Sequence, residues 1–110
     1  MTEGLPPDDQ PIPSDLVRED PSFADLVLDF VSGLGERLQN MEQAMAVGDL
    51  EELRRSAHQL KGSGGGYGYP VLTERAAELE RSAQGGALTE CAANIAELKR
   101  LCQRIVVSTD

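Results

Sequence analysis

The chain contains a single histidine, His58, and the residues around it form a chemical pattern. The segment reads Arg54-Arg55-Ser56-Ala57-His58-Gln59-Leu60-Lys61-Gly62-Ser63-Gly64-Gly65-Gly66-Tyr67-Gly68. A neutral imidazole near pH 7 is a competent nucleophile toward phosphorus. The phosphoimidazole that results is anionic, and a nearby ammonium steadies it through a charge-assisted hydrogen bond. Lys61 lies one helical turn after His58 and Arg54 one turn before it, within reach of the same surface. The reaction also requires that a partner approach the ring nitrogen, and Gly62 and Gly65 place no side chain in the way.

A helical wheel at about 100° per residue, with Ala57 at zero, puts Leu50, Leu53, Leu60 and Gly64 between roughly −60° and +20°. His58 then falls near +100°, about 120° from the centre of that apolar stripe, and is predicted to face solvent. Arg54, Lys61, Gly62 and Gly65 lie within about 60° of it, so the histidine sits in a locally positive spot on an acidic chain. Arg54 and Arg55 read as a solvated face that tunes partner docking. If the helix runs on to Tyr67, Gly62, Gly64, Gly65 and Gly66 together cost on the order of 3–4 kcal/mol relative to alanine. That is a large part of the ~5–15 kcal/mol that holds a typical domain together, and it points to close approach by something at that surface. The sequence leaves open a second reading, in which the helix stops and the glycines form a loop with Gly62 as its C′ residue.

Other chemistries fit poorly. A phosphate-binding P-loop places Gly-Lys-Ser/Thr at the end of its glycine run, whereas Lys61 precedes the run here. The dinucleotide pattern G-x-G-x-x-G fails because positions 67, 69 and 71 are Tyr, Tyr and Val, and no strand precedes them. One histidine and two cysteines cannot build a four-ligand zinc shell, so no metal site is expected. A Ser-His-Asp hydrolase would need an oxyanion turn and a buried carboxylate behind the histidine, and the sequence offers neither. Cys91 and Cys102 are 11 positions apart on one helical stripe, roughly 16 Å at about 1.5 Å per residue, which is too far for a disulfide. They read as reduced core residues of a cytoplasmic protein.

The elements that must position His58 are helical. Residues 1–13 hold four of the six prolines and read as a disordered or extended leader. Ser14 caps a short helix to Glu19. Asp20-Pro21 opens a helix of about seven turns in which Phe23, Val27, Phe30, Leu34, Leu38, Met41 and Met45 recur at spacings of three and four. Gly48 ends it and Asp49 caps the next, which carries the Leu50, Leu53, Ala57, Leu60 stripe. Tyr69-Pro70 starts a third, with Leu72, Ala76, Leu79 and Ala83 inward, and Gly85-Gly86 break it. The last runs from about Thr89 to Val107 with Leu88, Cys91, Ile95, Leu98, Cys102 and Ile105 on one side. No stretch alternates with period two. The predicted fold is therefore all-α, an antiparallel up-down-up-down four-helix bundle over residues 14–108 with a short N-terminal helix. With 110 residues there is room for one domain. A net charge of −9 argues against nucleic acid or an anionic membrane as partner. No apolar run approaches the ~20 residues of a membrane span, and the N-terminus lacks the form of a signal peptide.

Ala57-His58-Gln59-Leu60-Lys61-Gly62-Ser63, followed by Gly68, resembles the signature of histidine-phosphotransfer (HPt) domains of bacterial-type two-component phosphorelays. That family pattern runs roughly His-x-Leu-Lys-Gly-Ser, then a stretch of small residues and a glycine ten positions after the histidine; glycines 64–66 exceed its commonest form. The resemblance implies a four-helix bundle whose exposed histidine takes a phosphoryl group from one aspartate and passes it to another. It makes His58 the phosphoacceptor, Lys61 the phosphate-stabilising cation, Gly62 the residue that opens access, and Ser63 and Gly68 packing positions. It implies a phosphocarrier without an ATP site, kinase activity or cofactor of its own. The Mg ion and the aspartate would belong to a receiver domain of a response regulator or hybrid kinase, and the carrier is expected to be a monomer. The rival expectation is a helical module that binds receiver or kinase domains without phosphotransfer.

Overall fold

The computed structural model describes residues 10–109. Its helices are α1 (Asp15–Glu19), α2 (Ala24–Ser32), α3 (Leu34–Ala46), α4 (Leu50–Gly66), α5 (Pro70–Gln84) and α6 (Leu88–Cys102), with a 3₁₀ turn over Pro21–Phe23. Helices α3 to α6 pack in order, α3 against α4, α4 against α5 and α5 against α6, and α3 closes the bundle on α6. The fold is all-α, as the periodicities predict.

The three connections of the bundle are three residues long and close in the same way. Gly48, Gly68 and Gly86 have φ of 76°, 95° and 70°, the left-handed region that an L side chain resists. The next amide in each case reaches back into the helix just ended: Asp49 to the Ala44 carbonyl at 2.8 Å, Tyr69 to Gly64 at 2.9 Å, Ala87 to Ser82 at 3.0 Å. These are Schellman closures, which satisfy the last carbonyls and reverse the chain within one turn. Asp49 then accepts from the Glu52 amide at 3.0 Å and caps α4, whose first turn carries Glu51 and Glu52 at the favourable, positive end of the helix dipole.

The core is the sum of the predicted stripes: Val27, Phe30, Leu34, Leu38 and Met41, then Leu53, Ala57 and Leu60, then Leu72, Ala76, Leu79 and Ala83, then Cys91, Ile95 and Leu98 are buried. Phe30 stacks on Tyr67 at 4.3 Å between centroids and reaches Tyr69 at 6.3 Å, tying α2 to the end of α4.

Several sequence expectations need correction. The seven-turn first helix is two helices, because Gly33 closes α2 with a short bond to the Phe30 carbonyl at 3.1 Å and α3 begins at the next residue. Phe23 lies in the 3₁₀ turn and is exposed, and Ala44 is buried where Met45 was expected. Leu88 opens α6 and is 52% exposed. Helix α6 stops at Cys102, short of Val107. Ile105 is buried on an extended segment that pairs with Ile12: the Ile12 amide donates to Arg104 and the Val106 amide to Ile12, at 2.8 and 3.0 Å. The leader expected to be disordered falls within the described residues only from Gln10, and there it is held by these bonds; residues 1–9 lie outside them. Ser14 caps α1 as predicted and is itself buried, its hydroxyl donating to the Tyr67 carbonyl at 2.7 Å.

Candidate functional site

His58 lies on the outer side of α4 with 61% of its side chain exposed. Its Nδ1 is 2.9 Å from Oε2 of Glu80, on the facing surface of α5. The other carboxylate oxygen of Glu80, Oε1, receives the Lys61 ammonium at 2.7 Å. One carboxylate, itself only 14% exposed, thus bridges the two candidate side chains that the sequence places one turn apart. The Lys61 hydrogen bond is the largest influence holding the Glu80 carboxyl below its ordinary value; burial opposes it, and the His58 contact adds to it.

The reach from α5 to His58 depends on how closely α4 and α5 approach. A Cβ at Gly64 would stand 2.7 Å from the Leu72 Cβ and 3.1 Å from the Thr73 amide, so only glycine permits this spacing. Beside it, the Thr73 hydroxyl accepts from the Gly65 amide at 2.8 Å and donates to the Lys61 carbonyl at 2.7 Å. Those two backbone groups are the pair that an uninterrupted α-helix joins to each other. The hydroxyl is therefore inserted into the ladder of α4, pinning the two helices at one register. Thr73, Ala77 and Glu80 follow one another at spacings of four and three on α5, so the pin at Lys61 places Glu80 two turns away, opposite His58.

The helix continues through Gly64–Gly66, which decides against the loop reading. Gly62 is exposed, and an added Cβ would meet nothing within 4 Å. Gly65, expected at the centre of the docking surface, is exposed but also belongs to the α4–α5 seam, since its Cβ would lie 3.2 Å from Thr73 Oγ1. Ser63 is half-buried and its hydroxyl bonds back to the Gln59 carbonyl at 3.0 Å. Gly68 is buried, and a side chain there would strike Ser14 Oγ. Arg54 is half-buried and pairs with Glu51 at 2.7 Å, a bond that lowers the Glu51 carboxyl and raises the Arg54 guanidinium. Arg55 is exposed and pairs with Glu52 at 2.6 Å. The locally positive spot is thus largely compensated, by Glu80 above all. Glu80 and Thr73 were not singled out in the sequence. The available signal was their common stripe beside the Leu72, Ala76, Leu79 core stripe.

Among the described residues no three His, Cys, Asp or Glu side chains gather as metal ligands. Cys91 and Cys102 are unpaired thiols, and burial pushes Cys102 up to about 11.

Fold and site together define a helical bundle that presents one imidazole, with a carboxylate behind it and bare helix beside it, to solvent. Residues 25–107 match the Hpt domain, and the chain belongs to that family, the histidine-phosphotransfer domains. Its members are phosphocarriers rather than kinases and interact with the receiver domains and kinases of two-component systems. No curated protein and no solved structure matches the chain.

Proposed function

We propose that this chain accepts a phosphoryl group on His58 from a receiver-domain aspartate or a kinase, and passes it to an aspartate of a response regulator. The observation that carries the reading is the open imidazole of His58 beside Lys61, with nothing standing over Gly62 one turn on. The Nε2 lone pair attacks phosphorus in line with the departing carboxylate, and the reverse reaction delivers the group onward. Lys61 can reach a phosphoryl group on the outer ring nitrogen from position i+3. The chain brings no ATP site and no cofactor to this exchange. The receiver supplies the aspartate and its Mg ion. No helix among the described residues is long and apolar enough to cross a membrane, and the proposed setting is a cytoplasmic relay.

The test is a phosphotransfer screen against receiver domains from the same genome. Acid-labile, base-stable phosphate should appear on the chain and be absent from His58→Gln. The variant should fold normally, because exposed substitutions typically change stability by less than about 0.5 kcal/mol. Equal labelling of His58→Gln would end the reading.

A further inference from the structure

Resting on that reading, we propose that Thr73 is a positioning residue for the phosphoryl exchange: its hydroxyl fixes the backbone of Lys61, so that the ammonium waits where the phosphoryl group on His58 arrives. A threonine within a helix ordinarily turns its hydroxyl to solvent or back onto a carbonyl of its own helix. The Thr73 hydroxyl instead crosses the seam, donating to the Lys61 carbonyl at 2.7 Å and accepting from the Gly65 amide at 2.8 Å. Two of the glycines that exceed the family's commonest pattern make room for it. Cβ atoms at Gly64 and Gly65 would lie 3.3 and 3.2 Å from Thr73 Oγ1.

Helix α5 thereby holds Lys61 at both ends. Thr73 holds its carbonyl oxygen, one carbon away from the Lys61 Cα, and Glu80 holds its ammonium at 2.7 Å. A lysine side chain otherwise sweeps a wide volume, and ordering it as the phosphoryl group arrives costs conformational entropy. An ammonium has three donors, so those not given to Glu80 are left for phosphoryl oxygens on His58. Removing the hydroxyl should spare the fold, because the Lys61 carbonyl and the Gly65 amide are a pair that an α-helix joins directly. What is lost is the tie between the root of Lys61 and α5.

Potassium phosphoramidate, which gives its phosphoryl group to an imidazole and releases ammonia, reports acceptance by the full chain without a partner's surface. Thr73→Val keeps the shape and removes the hydroxyl. It should take phosphate about two- to fivefold more slowly than wild type, the range open to a solvent-exposed charge contact. Thr73→Ala, a better helix former, should do the same, and both should keep the helical circular-dichroism spectrum. Thr73→Ser retains the hydroxyl and should take phosphate at the wild-type rate. The deciding measurement is a double-mutant cycle. In a Lys61→Ala background, already slower than wild type, Thr73→Val should have no further effect, whereas a merely structural role would slow both backgrounds alike. A wild-type rate in Thr73→Val or Lys61→Ala, equal slowing in both backgrounds, a slow Thr73→Ser, or loss of the fold in both Thr73→Val and Thr73→Ala would each overturn the proposal and leave the phosphocarrier reading intact. No uptake by wild type would end that reading, and this proposal with it.

Discussion

Gly62 and Gly64 lie two residues apart on one helix, and alanine should have opposite effects at the two positions. Each substitution gains about 0.8–1 kcal/mol of helix propensity. At Gly62 the new methyl meets nothing within 4 Å, so that gain is kept. At Gly64 it would lie 2.7 Å from the Leu72 Cβ, 3.1 Å from the Thr73 amide and 3.3 Å from Thr73 Oγ1. Neither of the first two atoms can rotate away, so α5 must draw back by roughly 1 Å in an interior packed as densely as a crystal. Overpacking of this kind costs about 1–3 kcal/mol, leaving Gly64→Ala neutral to about 2 kcal/mol destabilised. The two variants should therefore differ by about 1–3 kcal/mol. Thermal unfolding followed by circular dichroism resolves this readily, since 1 kcal/mol moves the midpoint of a domain this size by roughly 4–8 °C. Gly62→Ala should melt above wild type and Gly64→Ala below Gly62→Ala. A Gly64→Ala midpoint equal to or above that of Gly62→Ala would refute the close-approach argument, and with it the account of how Glu80 comes to reach His58.

The remaining predictions concern the surroundings of His58. Gly62→Leu should fold at least as stably as wild type but block transfer from a receiver domain, and wild-type transfer rates would show that the partner does not approach over position 62. Lys61→Ala should shorten the phosphohistidine lifetime or slow transfer by up to about tenfold, a solvent-exposed contact being worth at most about 1 kcal/mol. The difference should shrink at 1 M salt, where screening acts within about 3 Å; a hundredfold loss would give Lys61 a direct part in the chemistry. Glu80 has a folded-state value below its ordinary 4.5, chiefly through Lys61, so its contribution is present above that pH and is lost as pH falls through the folded value. Glu80→Gln should accordingly show a flatter acid limb in urea unfolding, and identical acid limbs would mean the bridge adds nothing to stability.

Most of the bundle was legible because helix periodicity is local. The stripe Leu53, Ala57, Leu60, Gly64 gives both the buried face of α4 and the exposure of His58 from one angle rule, and the structure places each residue accordingly. The His-x-Leu-Lys-Gly-Ser run gave the family. What could not be read depends on contacts between elements. Glu80 stands opposite His58 because of the register between α4 and α5, set by Gly64 against Leu72 and by the Thr73 hydroxyl inside the ladder of α4. No periodicity in either helix encodes that register. The costly glycine run looked like an invitation to a partner; at Gly64 the approaching group is the chain's own α5. The end of α6 was overestimated for a similar reason, since Ile105 keeps its place in the apolar series but is buried through backbone pairing with Ile12.

The pairing of Ile12 with Ile105, extended by the Ser14 amide donating to Val107 at 3.3 Å, brings the first and last described segments side by side. The described part of the polypeptide is thus almost a ring, and its linear order is a small part of what the bundle requires. A short polar linker joining the two segments would close it, and new ends could be opened at the tight turn around Gly86, since exposed turns are where circular permutation is best tolerated. Ring closure restricts the unfolded chain more than the folded one, because the folded ends are already neighbours. Such a permutant would present His58, Glu80 and Lys61 unchanged, while the flanking polypeptide would leave from a different pole of the bundle.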